Sequence, residues 1–199
     1  MNWLLPFVLG LCGIFTYKAY GFVKYDSHRP MIRFAAENYS HPLQIAEIGV
    51  FFGTNARRMF KKLNVEKMFL IDPYQKYQEY TKEKNVLTFL PSSFKPALTV
   101  LKRYTDRVVP LQMTSEDAVD FIPKDLDMVY IDGNHAYEYV KNDIELYYQK
   151  VKAGGIIGGH DIDGNSNGED VKRAVFEFAD KNNLSVHVRK PDWWIIKEQ

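Results

Sequence analysis

An apolar run that ends in an acid and then turns on two glycines, Leu43-Gln-Ile-Ala-Glu47-Ile-Gly49-Val-Phe-Phe-Gly53-Thr-Asn-Ala56, constrains this chain more than any other stretch. The glycines let the backbone turn tightly against a ligand, and a helix is expected to begin near Thr54 or Asn55. The next apolar run closes on Asp72, 19 positions after Gly53. In a strand-loop-helix-strand unit that spacing delivers an acid to the ribose hydroxyls of a bound nucleoside. Taken alone, the loop also fits an ordinary strand and glycine turn.

The loop argues against a dinucleotide. A pyrophosphate needs bare backbone at a helix N-terminus and the spacing G-x-G-x-x-G. Here Phe51 and Phe52 stand between the glycines, and Glu47 precedes them. A carboxylate there repels phosphate and attracts a cation. S-adenosylmethionine carries a sulfonium and an ammonium and no phosphate, so it suits this loop better than a nicotinamide dinucleotide.

At 199 residues, 46% hydrophobic and 26% charged, the chain is sized for one domain with a substantial core. Its 26 basic and 25 acidic residues leave a net charge of +1, which gives no field to gather nucleic acid. The single cysteine, Cys12, excludes an intrachain disulfide and a cysteine-based zinc cluster. Tyrosine clusters such as Tyr74, Tyr77 and Tyr80 are interleaved with no basic patch and read as half-buried packing.

Residues 1–26 form a distinct apolar segment ahead of a domain spanning 27–199. No charged side chain occurs from Met1 to Tyr17, and Lys18, Lys24, Arg29 and Arg33 follow. A bilayer core asks for about 20 apolar residues, so residues 3–23 are borderline for an anchor. The trailing basic residues would leave an anchored catalytic body in the cytoplasm. A soluble packing helix and a cleaved signal stay open as alternatives.

From Ser27 onward, apolar runs alternate with helix-period segments, the organisation of an α/β fold. Helices are expected over Pro30 to Tyr39, Asn55 to Leu63, Ser92 to Tyr104, Ala136 to Val151 and Asp170 to Asn182, with Gly154 and Gly155 ending the fourth. Strands are expected at Leu43 to Val50, Lys67 to Ile71, Val108 to Met113, Met128 to Ile131 and Ile156 to Gly159. Leu184 to Val188 and Trp193 to Ile196 complete the set as an antiparallel hairpin. This is a Rossmann-like three-layer sandwich with a mostly parallel seven-stranded sheet and an antiparallel C-terminal edge. Ligands are expected at the C-terminal strand ends.

Asp72, Glu116, Asp132 and Asp161 all fall at or just past such ends and are expected to share one crevice. Tyr130-Ile-Asp132-Gly133-Asn134-His135-Ala-Tyr137 ends a strand in an acid and presents a histidine suited to proton transfer near neutral pH. Gly158-Gly159-His160-Asp161-Ile-Asp163 repeats that arrangement. Carboxylates and imidazoles on neighbouring strand ends can share a divalent ion, although a strand-end aspartate often only caps the next helix. Asp163, Asn165, Asn167, Glu169 and Asp170 lack the central glycine at the required place and the bidentate glutamate at position twelve of a calcium loop, so the glycine- and asparagine-rich loop from Ile162 to Gly168 reads as a lid, as does Gln75 to Asn85.

With these residues in view, the chain from about Arg33 to Lys197 resembles the class I S-adenosylmethionine-dependent methyltransferases, in particular the small branch with macrocin-type sugar O-methyltransferases. The carrying motifs are Ala46-Glu-Ile-Gly49-Val-Phe-Phe-Gly53, Ile71-Asp72, Ile131-Asp-Gly-Asn-His135-Ala-Tyr137 and Gly154-Gly-Ile-Ile-Gly-Gly-His160-Asp161. The resemblance implies metal-assisted O-methylation of a small hydroxylated acceptor. It places Glu47 and Gly49 toward the methionine part of the cofactor, Asp72 on the ribose, and Ser115 with Glu116 on the adenine, and counts Gly53 and Asp132 among the cofactor-binding residues. It gives Asp132 and Asp161, with His160 beside them, to a magnesium ion, and makes His135 the general base. Residues 1–24 lie outside it. A nicotinamide oxidoreductase and a non-catalytic membrane-tethered nucleoside-binding module are the alternatives, and Trp193 with Trp194 near the edge hairpin offers a surface for a homo-oligomer.

Overall fold

The structure, a computed structural model, describes residues 29–75, 90–163 and 168–198. The apolar segment at residues 1–26, most of the connection from Gln75 to Asn85 and the centre of the glycine- and asparagine-rich loop lie outside the described residues. Among the described residues no helix is long and apolar enough to cross a membrane.

The chain opens with α1 (Pro30–Asn38), where Pro30 presets the first turn. It continues through β1 (Leu43–Ile48), α2 (Thr54–Lys62) and β2 (Val65–Ile71). After a 3-10 turn come α3 (Phe94–Val100), β3 (Val108–Leu111), the single-turn α4 (Ser115–Ala118) and β4 (Leu126–Ile131). The last part comprises α5 (Tyr137–Tyr148), β5 (Val151–Gly159), α6 (Gly168–Lys181), β6 (Val186–Arg189) and β7 (Asp192–Ile196).

The seven strands lie in the order β3-β2-β1-β4-β5-β7-β6. The first five run parallel, and β7 pairs antiparallel with both β5 and β6. This is the sheet expected from the sequence. The strand order reverses direction between β1 and β4, which opens a crevice at their C-terminal ends.

Alternation along the central strands feeds two cores. Ala46, Ile48, Val129, Ile131 and Ile157 face α5 and α6, where Val140, Ile144, Val171, Ala174, Val175 and Phe178 complete one core. Ile45, Met68, Met128, Tyr130 and Ile156 face the opposite way, against Met31, Ile32 and Ala35 of α1 and Ala56, Met59 and Phe60 of α2.

Several boundaries differ from the sequence reading. The helix expected to reach Val151 stops at Tyr148, and Gly154 and Gly155 lie inside β5 rather than ending a helix. The ladder between β4 and β5 passes from Leu126 opposite Val151 to Met128 opposite Ile156, so the glycines absorb a bulge, with Gly154 at φ +76°. The segment from Ser92 to Tyr104 is broken into a short α-helix flanked by 3-10 turns, and the Ser93 side chain makes no cap. Trp193 and Trp194 are 1% and 2% exposed, which removes them as an oligomer surface. They sit on β7, an internal strand, and their alternating side chains enter the two cores.

Gly158 marks where β5, β7 and α1 meet most tightly. A Cβ there would lie 2.1 Å from the Trp193 carbonyl oxygen and 2.7 Å from Met31 Sδ. The oxygen belongs to a paired strand and has nowhere to go. Gly158→Ala is therefore expected to destabilise the protein by about 1–3 kcal/mol, read as a lower denaturant midpoint with an unchanged m-value.

Candidate functional site

The crevice at the β1/β4 reversal is a cavity of about 310 Å³, within the usual range for a small-molecule site. Its lining joins the first glycine loop (Gly49, Val50, Phe51), Asn55, Ile71 to Pro73, Ser115, Asp132 to His135, and Asp143, with Arg29 at one side.

Gly49 makes this junction possible. It turns the chain out of β1 at φ +84°, and a Cβ would stand 2.1 Å from the Asp132 carbonyl oxygen. No other residue type fits there. Gly53, at φ +71°, precedes the first residue of α2 and packs behind the cavity against Ala97.

Asp72 holds the loop together. Its Oδ2 accepts from the backbone N–H groups of Val50 and Phe51, each at 2.9 Å, and its Oδ1 accepts from Tyr74 N at 2.7 Å. Three of roughly four acceptor positions are thereby filled. Phe51 and Tyr74 adopt φ +50° and +52°, a left-handed backbone that these bonds fix in place. Asp72 still lines the cavity, with one acceptor direction left for a ligand hydroxyl.

Glu47 is fully buried on the α2 side of β1, one layer behind the lining. Asn55 Nδ2 donates to its Oε1 at 2.9 Å, and Arg58 Nη1 donates to Asn55 Oδ1 at 3.0 Å. Glu47 Oε2 is buried without a hydrogen-bond partner among the described residues. Burial pushes the Glu47 carboxyl up to about 8, against the opposing effect of the Asn55 bond. The sequence points to Glu47 as a direct contact; the structure interposes Asn55.

The opposite wall carries Asp132 and His135, and His160 and Asp161 adjoin them outside the lining. Asp132 follows β4, and Asn134 Oδ1 accepts from Ala136 N at 3.0 Å in an Asx turn that presents His135. His135 Nε2 lies 3.1 Å from Asp161 Oδ2 and 3.9 Å from Asp132 Oδ1. His160 Nδ1 lies 2.9 Å from Asp161 Oδ2 and 3.8 Å from Asp132 Oδ1. Asp161 itself sits at φ +60°, a strained conformation for aspartate. Two carboxylates and an imidazole, Asp132, Asp161 and His135, offer donor atoms within 4.8 Å of one another. That donor set fits a hard divalent ion. His135 and His160 stand at nearly equal distances from the two acids, so the spacing offers either imidazole the place that the sequence gives to His160.

In the sequence Arg29 is marked only as one of the basic residues trailing the apolar segment. Its Nη2 lies 3.2 Å from Asp132 Oδ2 and its Nη1 3.8 Å from Asp192 Oδ1. Burial alone would lower the Arg29 pKa, but the facing Tyr130, Asp132 and Asp192 outweigh it and hold it above its ordinary value. Asp192, with no exposed surface, also accepts from Tyr130 Oη and Met31 N, both at 3.0 Å. Burial raises its carboxyl to about 7 despite those bonds.

Ser115 reaches the cavity, while Glu116 points to solvent and takes no part in the lining. Ser115 instead pairs with Asp143, a buried acid that the sequence reading missed. Its signal was a charge on an otherwise apolar stripe of α5, formed by Val140, Ile144 and Tyr147. Asn55, the second residue of α2, carries no comparable mark.

A family model described as a methyltransferase domain matches residues 46–162, which contain the glycine loop, Asp72, Asp132, His135 and Asp161. The chain belongs to that methyltransferase-domain family. Among curated proteins, the uncharacterized protein R132 of Acanthamoeba polyphaga mimivirus is 31% identical over 118 residues, covering 58% of this chain. The match covers 49% of that relative, so this methyltransferase domain spans about half its length. Among solved structures, the O-methyltransferase NovP superposes with a TM-score of 0.66 at 19% identity, over 85% of this chain and 79% of its own. MycE, a methyltransferase of the mycinamycin biosynthetic pathway solved with Mg and S-adenosylhomocysteine, gives 0.56 at 13% identity, over 85% and 48%. These likenesses establish a shared Rossmann-like methyltransferase fold.

The buried acids make stability pH-dependent. Glu47 and Asp192 release their protons later in the folded than in the unfolded chain, so the unfolded state binds fewer protons between about pH 4 and pH 8. Their contribution to stability is complete below the unfolded values and is lost as pH rises through the folded ones. The ligand-free protein is expected to lose stability from about pH 5 to pH 8. Glu47→Gln should make the slope shallower by up to about 1.4 kcal/mol per pH unit, measured by urea unfolding across that range.

Proposed function

We propose that this protein is an S-adenosylmethionine-dependent methyltransferase that methylates a hydroxyl of a small acceptor. One observation carries the reading. The glycine loop with Asp72 and the pair Asp132 and His135 line a single cavity, and Asp161, outside that lining, adjoins His135 at 3.1 Å. A nucleoside site and a proton-accepting site therefore adjoin, as methyl transfer between two bound molecules requires. The family membership and the S-adenosylhomocysteine bound in MycE support the choice of cofactor.

In this reading Asp72 uses its remaining acceptor direction for the ribose, and Ser115 borders the base. Gly49 and Asn55, with Glu47 behind them, receive the methionine end. An ammonium group there would favour the ionised form of Glu47. The acceptor oxygen attacks the methyl carbon opposite sulfur: the C–O bond forms, the S–C bond breaks, and the sulfonium becomes a neutral thioether. His135 takes the hydroxyl proton, and the carboxylates of Asp161 and Asp132 stabilise the resulting imidazolium. Orientation of oxygen, carbon and sulfur is the protein's main contribution.

A divalent ion such as magnesium, held by Asp132 and Asp161 with His160, would add Lewis acidity that lowers the pKa of the acceptor hydroxyl. The magnesium in MycE supports this assignment. A bond from the same His135 nitrogen to that ion would remove it as a base, so His160 is the imidazole given to the metal. The hydroxylated, sugar-like acceptor rests on the resemblance to macrocin-type enzymes. Attachment to a membrane through residues 3–23, with the domain facing the cytoplasm, is a separate proposal. A tagged chain should stay with membranes through a carbonate wash, and full release would overturn attachment.

Calorimetric titration with S-adenosylhomocysteine and NAD tests the cofactor. The sulfur nucleoside should bind and NAD should not; binding of NAD alone would favour the oxidoreductase reading. His135→Ala should retain S-adenosylhomocysteine binding and lose at least about 100-fold in turnover. Asp72→Ala should weaken cofactor binding at least about tenfold, because the loop loses its anchor as well as the ribose contact. Equal activity in the two variants would refute these roles.

A further inference from the structure

Asp143 is a carboxyl in a place that ordinarily holds an apolar side chain. It occupies the buried stripe of α5 with Val140, Ile144 and Tyr147 and is 4% exposed, yet it lines the cavity. Among the described residues one hydrogen-bond donor reaches it, the hydroxyl of Ser115 on its Oδ1. A carboxylate has about four acceptor positions, and burying one with a single neutral donor is costly unless a further donor arrives. An apolar residue would complete the stripe without that cost.

The location indicates what the donor is. Ser115 follows β3, two strands away from β1, and α5 crosses from β4 to meet it. Tyr147 Oη donates to the Ser115 carbonyl at 2.8 Å, which ties the start of α4 to α5 and fixes the hydroxyl that holds Asp143. Ile71, Pro73 and Phe51 supply apolar walls to the same cavity, near Asp72. A flat heterocycle attached to a ribose on Asp72 would lie between such walls with its polar edge toward the buried acid.

We infer that Asp143 reads the base of the nucleoside, its carboxylate accepting a hydrogen bond from an exocyclic 6-amino group so that adenine is taken over a 6-oxo purine. The inference rests on the nucleoside-cofactor reading above and adds to it a specificity residue on α5. Adenine presents a donor at C6. Hypoxanthine presents an oxygen lone pair there, which an ionised carboxylate repels. A site built around a buried polar group discriminates strongly against the ligand that leaves it unpaired. Burial raises the Asp143 carboxyl to about 7, opposed by the Ser115 bond, so an incoming N–H donor would favour the ionised form and expel a proton near neutral pH.

The test compares S-adenosylhomocysteine with S-inosylhomocysteine by calorimetry at pH 8, using the full chain and its Asp143→Asn and Ser115→Ala variants. The wild type should prefer the adenine ligand at least about tenfold. Asp143→Asn should bring the two affinities within about threefold, mainly by weakening the adenine ligand, because an amide can turn either a donor or an acceptor to C6. Ser115→Ala keeps the acid but frees it, and should show an intermediate preference. At pH 7, buffers of different ionisation heat should reveal proton release when S-adenosylhomocysteine binds the wild type. Equal wild-type affinity for the two ligands, or an unchanged preference in folded Asp143→Asn, would overturn the role of Asp143. Should Asp143→Asn not fold, an unchanged preference in Ser115→Ala together with no proton release in the wild type would overturn it equally. If the wild type binds neither sulfur nucleoside, the cofactor reading itself falls.

Discussion

The close approach of Gly49 to the backbone of Asp132 is the constraint on which the site depends. Asp132 N donates to the Ile48 carbonyl at 2.7 Å and Gly49 N donates to the Ile71 carbonyl at 2.9 Å, so the ends of β1, β2 and β4 are pinned within one layer. Only a residue without a Cβ can turn out of β1 there. The left-handed loop follows, and Asp72 stabilises it by accepting from three backbone N–H groups. The cavity is a by-product of this turn: β1 leaves the sheet on one side, β4 on the other, and the gap between them is lined by what each strand delivers at its end.

Charge in the gap is arranged in two layers. The outer layer, Asp132, His135, His160 and Asp161, is partly exposed and can exchange protons or bind an ion. The inner layer, Glu47 and Asp192, is buried: Glu47 accepts from Asn55, and Asp192 accepts from Tyr130 and Met31 and faces Arg29, without full neutralisation of either acid. Arg29 bridges the layers, since one guanidinium faces both Asp132 and Asp192. It shares one positive charge between two acids, which explains why burial still dominates at Asp192.

Most of this architecture was legible because it is written in periodicity. Alternating apolar strands, helix-period segments and glycines at turns specified the seven-stranded sheet and its antiparallel edge, and the strand-end acids located the crevice. Where reading failed, the reason was long-range. Gly154 and Gly155 look like a helix terminator locally, but a bulge against β4 decides their conformation. Glu116 follows its strand as Asp72 and Asp132 follow theirs, but at five residues' distance rather than one, and a one-residue difference on a single helical turn brings Ser115 to the cavity and leaves Glu116 exposed. Arg29 carries no local signal, because its partners Asp132 and Asp192 are 103 and 163 positions away.

The Trp193-Trp194 pair has a consequence for how the molecule comes apart. Adjacent residues on a strand point to opposite faces, so one indole is embedded in the core under α5 and α6 and the other in the core under α1 and α2. These are two of the three tryptophans in the chain. The C-terminal strand is thus a rivet through both layers. Neither layer can loosen without disturbing one of two neighbouring chromophores, and ultraviolet emission from this dipeptide reports the integrity of the whole sandwich instead of a local event.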